Sequence, residues 1–249
     1  LWQSEALDSG FNFDFFNNFE YSKAVEGKNR AEDITRVLYP NDIQRAGKVL
    51  RLKQQYFFVS ASIQDIVENY KKNFPEDKDF ENFSKMTAIQ LNDTHPVIAI
   101  PELMRILIDG EGLNWDKAYH IAKKVFAFTN HTVLQEALEK WPLDIIEEVS
   151  PRCLVLIKEI NAKMCEELSL MGIDSMTMNK YLIVHGDVVE MAYLAVWMST
   201  SVNGVAKIHT DILKADTLKI WYDIMPEKFN NKTNGVTPRR WLQYANPEL

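Results

Sequence analysis

Twice in this chain a short apolar run breaks off into a cluster of polar residues and is followed by residues at helical spacing. Residues 86–91 (MTAIQL) end in Asn92, Asp93, Thr94, His95 and Pro96, and residues 125–128 (VFAF) end in Thr129, Asn130, His131 and Thr132. A buried strand, a polar exit and a returning helix make a βα unit, and two in succession predict parallel strands of one sheet with their exits on one edge. Ligands of open α/β sheets bind outside the carboxyl ends of the strands. Asp93, His95 and His131 are therefore the first candidate site residues, because a carboxylate beside imidazoles orients a sugar or stabilises developing positive charge. The plainer alternative has Asp93 capping the helix behind Pro96, and Asn130 or Thr132 capping the next one.

Around these units the spacing predicts further elements. The first thirty residues read as a loop or short strand leading into a short helix over 21–27, and residues 31–38 as a short helix or strand ended by the turn at 39–42. Residues 50–74 carry an apolar stripe (Tyr56, Val59, Ile63, Ile66, Val67, Tyr70) that predicts a long helix. A helix over 97–109 contains Pro101, which predicts a kink or restart. Helices follow over 115–124, 133–140, 143–149, 151–168, 180–198 and 205–215, with Pro151 in a first turn behind Ser150. Asn203-Gly204 reads as a tight turn at a helix junction, and the polar residues 229–235 as a boundary.

Several function classes fall away on composition. With 28 basic and 35 acidic residues among 249 the formal charge is −7, against a polyanion such as nucleic acid as the main ligand. Neither GxGxxG nor GxxxxGK[ST] occurs, so no phosphate-cradling loop is evident. Cys153 and Cys165 fall in one predicted helix, roughly 18 Å apart at about 1.5 Å per residue, and cannot bridge each other. Free thiols without a leader sequence favour the cytoplasm. The most apolar stretch, 182–198, carries His185, Asp187 and Glu190, and reads as a buried helix rather than a membrane span.

Other residues invite weaker readings. His120, His185 and His209 fall inside predicted helices, without metal-ligand spacing. The loop from Tyr39 to Lys48 with Arg51 either gates a polar substrate or is a solvated turn. Arg239 and Arg240 beside Trp241 pair with phosphate or form a surface pair. Asp93 and Glu139 would support glycoside hydrolysis only if they line one cleft at the required separation. No GxSxG, HExxH or Cys/His pair points to a protease or esterase.

Longer runs match a known family. RVLYPND (36–42), LRLKQ (50–54), AIQLNDTHP (88–96), IPELMR (100–105), TNHTVL (129–134), EALE (136–139), VNGVA (202–206), NKTNG (231–235) and TPRRWL (237–242) resemble the α-glucan phosphorylases over nearly the whole chain.

The resemblance implies an α/β fold forming part of the N-terminal lobe of a two-lobed GT-B glycosyltransferase. Residues 1–230 would be the later half of that lobe, and 231–249 the start of the C-terminal lobe. It implies phosphorolysis of α-1,4-glucans to glucose 1-phosphate with retention, pyridoxal 5′-phosphate as cofactor, and a homodimeric parent. His131 and Asp93 match catalytic positions. His95, Asn234, Asp42, Tyr39, Arg51 and Glu139 match substrate-binding positions, with Asp42 on a mobile gate loop, and Trp241 matches a residue near the cofactor. The family pattern has an asparagine where this chain has Ile43, and a histidine where it has Thr200. The family's cofactor lysine and phosphate clamp have no counterpart here, which predicts a fragment inactive alone. The competing expectation is a non-catalytic helical carbohydrate-binding or assembly module.

Overall fold

The computed structural model describes residues 2–8 and 10–248. Its longest element is the helix Arg45–Asn73, which buries Val49, Leu52, Val59, Ile63, Val67 and Tyr70 at helical spacing. It begins five residues before the expected start and carries Gly47 in its first turn. A Cβ at Gly47 would lie 1.8 Å from the Asn41 carbonyl oxygen, so only glycine lets the loop 39–44 fold back against this turn.

Among the described residues the strands are, in chain order, β1 (Ile89–Asn92), β2 (Phe126–Thr129), β3 (Lys140–Pro142), β4 (Val184–His185), β5 (Val188–Glu190), β6 (Val202–Gly204) and β7 (Phe229–Asn231). The main sheet has the order β1-β2-β6-β7 and every pairing in it is parallel, as the two βα units predict. Leu91, Phe126, Phe128, Val202 and Phe229 carry its buried apolar side chains. The exits are stitched together by backbone bonds beyond the strands. Asp93 N–H donates to the Thr129 carbonyl at 2.8 Å, Asn130 N–H to Asn203 at 3.0 Å, and Lys232 N–H to Gly204 at 3.1 Å. Asp93 takes a left-handed conformation (φ 63°), one that Asp tolerates better than most residues, and the chain turns sharply there.

Several predicted elements take other forms. The first aromatics form a short helix, Phe13–Asn17, whose cap Asn12 accepts from Asp14 and Phe15 N–H, rather than a loop or strand. The expected helix 21–27 and the short helix or strand expected over 31–38 take the form of Tyr21–Ala24 and an eleven-residue helix, Glu26–Arg36. Pro101 neither kinks nor restarts its helix. Ala99–Arg105 begins two residues earlier, so the ring occupies the first turn, where no intrahelical N–H is needed.

Residues 133–140 are not a helix. They form a loop in which Leu138 is buried, with one 3₁₀ turn, Gln135–Ala137, and then β3, which carries the buried Trp141 and pairs antiparallel with β5. Strand pairing overrides a helical-looking pattern there, and Pro142 disfavours a helical Trp141. The expected helix 180–198 survives only as Met191–Met198. Its first half is the β4–β5 hairpin, turning at Gly186 (φ 58°), so His185 lies on a strand. Asn203-Gly204 is no turn but the end of β6, where Asn203 accepts from Thr129 Oγ1 at 2.9 Å. The last predicted helix is Lys207–Ile212, followed by a π-helical turn, Leu213–Thr217.

Three of the helices meet at one buried carboxylate. Glu102, fully buried, accepts from Ser60 Oγ (2.6 Å), Tyr56 Oη (3.1 Å) and both Nε and a terminal nitrogen of Arg105 (2.7 Å each). It thereby joins the long helix to Ala99–Arg105, and Cys153 of the helix Pro151–Leu170 approaches it at 3.7 Å. Both cysteines are free and share this one helix. Burial pushes the Cys153 thiol up to about 12, so it stays protonated. Among the described residues no helix is long and apolar enough to cross a membrane.

Removing one partner of a buried charge pair leaves the other uncompensated. Glu102→Ala is expected to cost about 3 kcal/mol, the lower end of the usual range because Arg105 retains 28% side-chain exposure and regains some water. Urea denaturation of the 249-residue chain measures it.

Candidate functional site

The sheet places its polar exits on one edge, and the loop 133–139 folds across part of it. Between that loop, the exit of β1 and the start of the long helix lies a cleft of about 700 Å³, lined among others by Asp42, Lys48, Arg51, Asp93, His95 and Glu139. Tyr39 stands beside it, its ring edge-on to His95 with centroids 5.8 Å apart and the Arg51 guanidinium 5.4 Å away. Six of the nine candidate residues, from four chain segments, thus come together.

Glu139 is the centre of the group. Its side chain is 11% exposed, and one oxygen, Oε1, meets three partners: Arg51 at 3.1 Å, Gln55 Nε2 at 3.0 Å and His95 Nδ1 at 3.2 Å. Arg51 also donates to Asp42 at 2.8 Å, so the guanidinium bridges the 39–44 loop and the cleft floor. The Glu139 backbone carbonyl is held too, since it accepts from Met191 N–H. Gln55 was not a candidate in the sequence. Its place one helical turn after Arg51 on the same face is the signal that could have found it.

The charges shift one another. The Glu139 contact raises the His95 pKa above its ordinary value of 6.5 against the opposing effect of burial, with smaller help from Asp93. Burial alone would raise Glu139, but His95, Gln55 and Arg51 outweigh it and hold the carboxyl below its ordinary 4.5.

The other three candidates stand apart from the cleft. His131 is exposed at the β2 exit, its Nε2 3.4 Å from Asn92 Oδ1. Asn234 is exposed after β7, on the same sheet edge, with its N–H on the Val205 carbonyl at 2.9 Å. Trp241 lies in an exposed π-helical turn, Arg239–Tyr244, 5.8 Å from the Arg240 guanidinium.

The capping alternative does not describe these loops. Asp93 Oδ1 accepts from Thr94 N–H, five residues before the helix that starts at Ala99, and that helix has no side-chain cap. Asn130 Oδ1 accepts from Thr132 N–H, but no α-helix follows. At the two departures from the family pattern, Ile43 is 82% exposed and Thr200 Oγ1 donates to the Phe126 carbonyl at 3.1 Å. Among the described residues no cluster of His, Cys, Asp or Glu would hold a metal ion.

Comparison with known proteins matches the carbohydrate phosphorylase family model to residues 1–249. The chain belongs to this family. It is 49% identical over 253 aligned residues to glycogen phosphorylase 2 of Dictyostelium discoideum, 47% to the liver form of glycogen phosphorylase of Bos taurus and 48% to the brain form of Homo sapiens. Each match covers all of this chain but only 25% of the Dictyostelium protein and 30% of the two mammalian ones.

The charge cluster has a pH window. His95, with its raised pKa, stabilises the fold fully below 6.5 and loses that contribution as pH rises through the raised value. Glu139, with its lowered pKa, contributes fully above 4.5 and loses it as pH falls through the lowered value. The pair contributes most between these two ordinary values. Glu139→Gln is expected to bring the His95 pKa down to or below 6.5, read from imidazole shifts in an NMR titration.

Proposed function

We propose that this chain forms the sugar-facing wall of an α-glucan phosphorylase, which splits the non-reducing ends of α-1,4-glucans with inorganic phosphate and releases α-D-glucose 1-phosphate with retention. The observation that carries the reading is the common sheet edge. Asp93 and His95 after β1, His131 after β2 and Asn234 after β7 all follow the carboxyl ends of parallel strands, within a chain of the phosphorylase family. Its relatives include proteins named glycogen phosphorylase.

In this reading the imidazole and main-chain carbonyl of His131 bind the glucosyl unit, and its ring stabilises the oxocarbenium-like charge as the bond from C1 to the leaving oxygen breaks. Asp93 and His95 line the glucosyl pocket, and Asn234 hydrogen-bonds sugar hydroxyls. Tyr39 and Asp42 belong to a loop gating the channel. Arg51 latches it, since its bridge from Asp42 to Glu139 must break for the loop to swing away.

Pyridoxal 5′-phosphate does not fit the residues present as a covalent cofactor. The lysines lining the cleft, Lys48 and Lys140, are exposed, and Lys140 is paired with Glu190. Lys228, which burial lowers to about 8, spends its amine on the Val196 and Trp197 carbonyls. The cofactor lysine and the phosphate clamp are assigned to other parts of the whole protein. Residues 231–249 then open the second lobe of a GT-B enzyme, with Trp241 facing the cofactor. The same reading makes the whole protein a cytoplasmic homodimer acting on glucan and phosphate, without membrane or nucleic-acid partners, and the −7 charge and free thiols support it.

The hydrolase alternative finds Asp93 and Glu139 on one cleft, but needs a carboxylic acid with a raised pKa. Glu139 is held low and its Oε1 is shared by three partners.

The complete protein is expected to form glucose 1-phosphate from maltoheptaose and phosphate, and residues 1–249 alone to form none. His131→Ala in the complete protein is expected to lower kcat by roughly 100-fold or more. Phosphate-independent release of glucose, or turnover by residues 1–249 alone, would contradict the reading.

A further inference from the structure

His209 lies in the short helix Lys207–Ile212, 8% exposed, and does not itself line the cleft described above. Its two ring nitrogens have fixed and different tasks. Val205 N–H donates to Nδ1 at 3.0 Å, so Nδ1 carries no proton, and Nε2–H donates to Asn130 Oδ1 at 3.1 Å with a longer approach to the Thr132 carbonyl at 3.4 Å. The imidazole spans from the exit of β6 to the exit of β2.

The residues it reaches flank His131 on both sides. Asn130 is fully buried, and its Oδ1 also accepts from Thr132 N–H at 2.9 Å. The amide oxygen therefore closes the turn that contains His131, and its orientation is settled by two donors. On the far side of the ring, Val205, next to β6, serves both neighbours through its two peptide groups: its N–H goes to His209 and its carbonyl accepts from Asn234 N–H. One line of hydrogen bonds runs from the His131 turn through Asn130, His209 and Val205 to Asn234.

Neighbouring contacts tie the β2 exit and β7 to the helical segments beside them. Gln135 Nε2 donates to the Thr217 carbonyl and Thr217 Oγ1 to the Val133 carbonyl. Thr210 Oγ1 donates to Asn231 Oδ1 at 2.9 Å. Gly204 completes the fit, since a Cβ there would lie 2.5 Å from Thr210 Oγ1.

We propose that His209, with Asn130, is a positioning residue that sets His131 and Asn234 at a fixed separation on the sheet edge. It acts as a strut, through hydrogen bonds to the two exit loops and without touching substrate. The proposal rests on the functional reading above for its effect on rate, but not for the hydrogen bonds themselves.

The test uses the complete protein. His209→Phe, which keeps a ring but removes both nitrogens, is expected to lower kcat for glucose 1-phosphate formation by about tenfold or more, with KM for maltoheptaose and phosphate changed by less than about threefold. His209→Gln, whose amide can both accept and donate, is expected to restore kcat to within about threefold of the unsubstituted protein. An unchanged kcat in His209→Phe, or no recovery in His209→Gln, overturns the strut. Should His209→Phe fail to fold, the imidazole nitrogen shifts of the unsubstituted protein decide. Protonated Nε2, bare Nδ1 and slowly exchanging Thr132 and Val205 amides support the proposal, and the opposite tautomer or fast exchange overturns it. An unsubstituted protein that makes no glucose 1-phosphate counts against the functional reading alone, and these nitrogen and amide signals then judge the strut.

Discussion

The parallel register of β1, β2 and β6, continued by β7, is the constraint on which the rest depends. Parallel strands must all leave the sheet on the same side, so four exit segments of unrelated sequence are forced along one edge. Backbone bonds past the strand ends, from Asp93, Asn130 and Lys232 to the adjacent exit, carry this order into the loops. Helices cover the sheet and supply the buried apolar surface, but they do not decide which polar groups meet. A chain with the same helices and an antiparallel β2 would send His131 to the opposite edge from Asp93.

On that frame the cleft is held by charge. Glu139 would be costly in its nearly closed position without partners, and Arg51, Gln55 and His95 converge on one of its oxygens. Three segments distant in sequence are thereby fixed to one point: the long helix, the β1 exit and the loop before β3. Arg51 extends the group to Asp42 on a loop whose side chains are mostly exposed. A contact between a fixed floor and an exposed loop is strong enough to hold the loop and weak enough to release it, since Asp42 remains 43% exposed.

The parallel sheet and its polar exits were legible in the sequence because a buried strand that ends in NDTHP or TNHT leaves a local signature. The long helix was legible from Val59, Ile63, Val67 and Tyr70. The β3 strand and the β4–β5 hairpin were not, because their pairing is non-local. Trp141 pairs with Val189 of β5, some fifty residues away, and Gly186 between Val184 and Val188 was the one local hint of a hairpin. The site divides in the same way. Asp93, His95 and His131 announce themselves as polar residues after strands, while Glu139 gains its importance from Arg51 and Gln55, 88 and 84 positions earlier. His209 was placed correctly in a helix, but its partners Asn130 and Val205 are visible only once the strands are laid side by side.

The central claim is that the carboxyl edge of this sheet faces the glucan. Amide hydrogen exchange of the complete protein, with and without maltoheptaose in the presence of phosphate, tests it most directly. The account predicts slowed exchange in three of these exits, at residues 93–95, 130–135 and 232–234, and little change on the buried faces of the helices. Protection confined to other surfaces, with these three exits unaffected at saturating maltoheptaose, would contradict it.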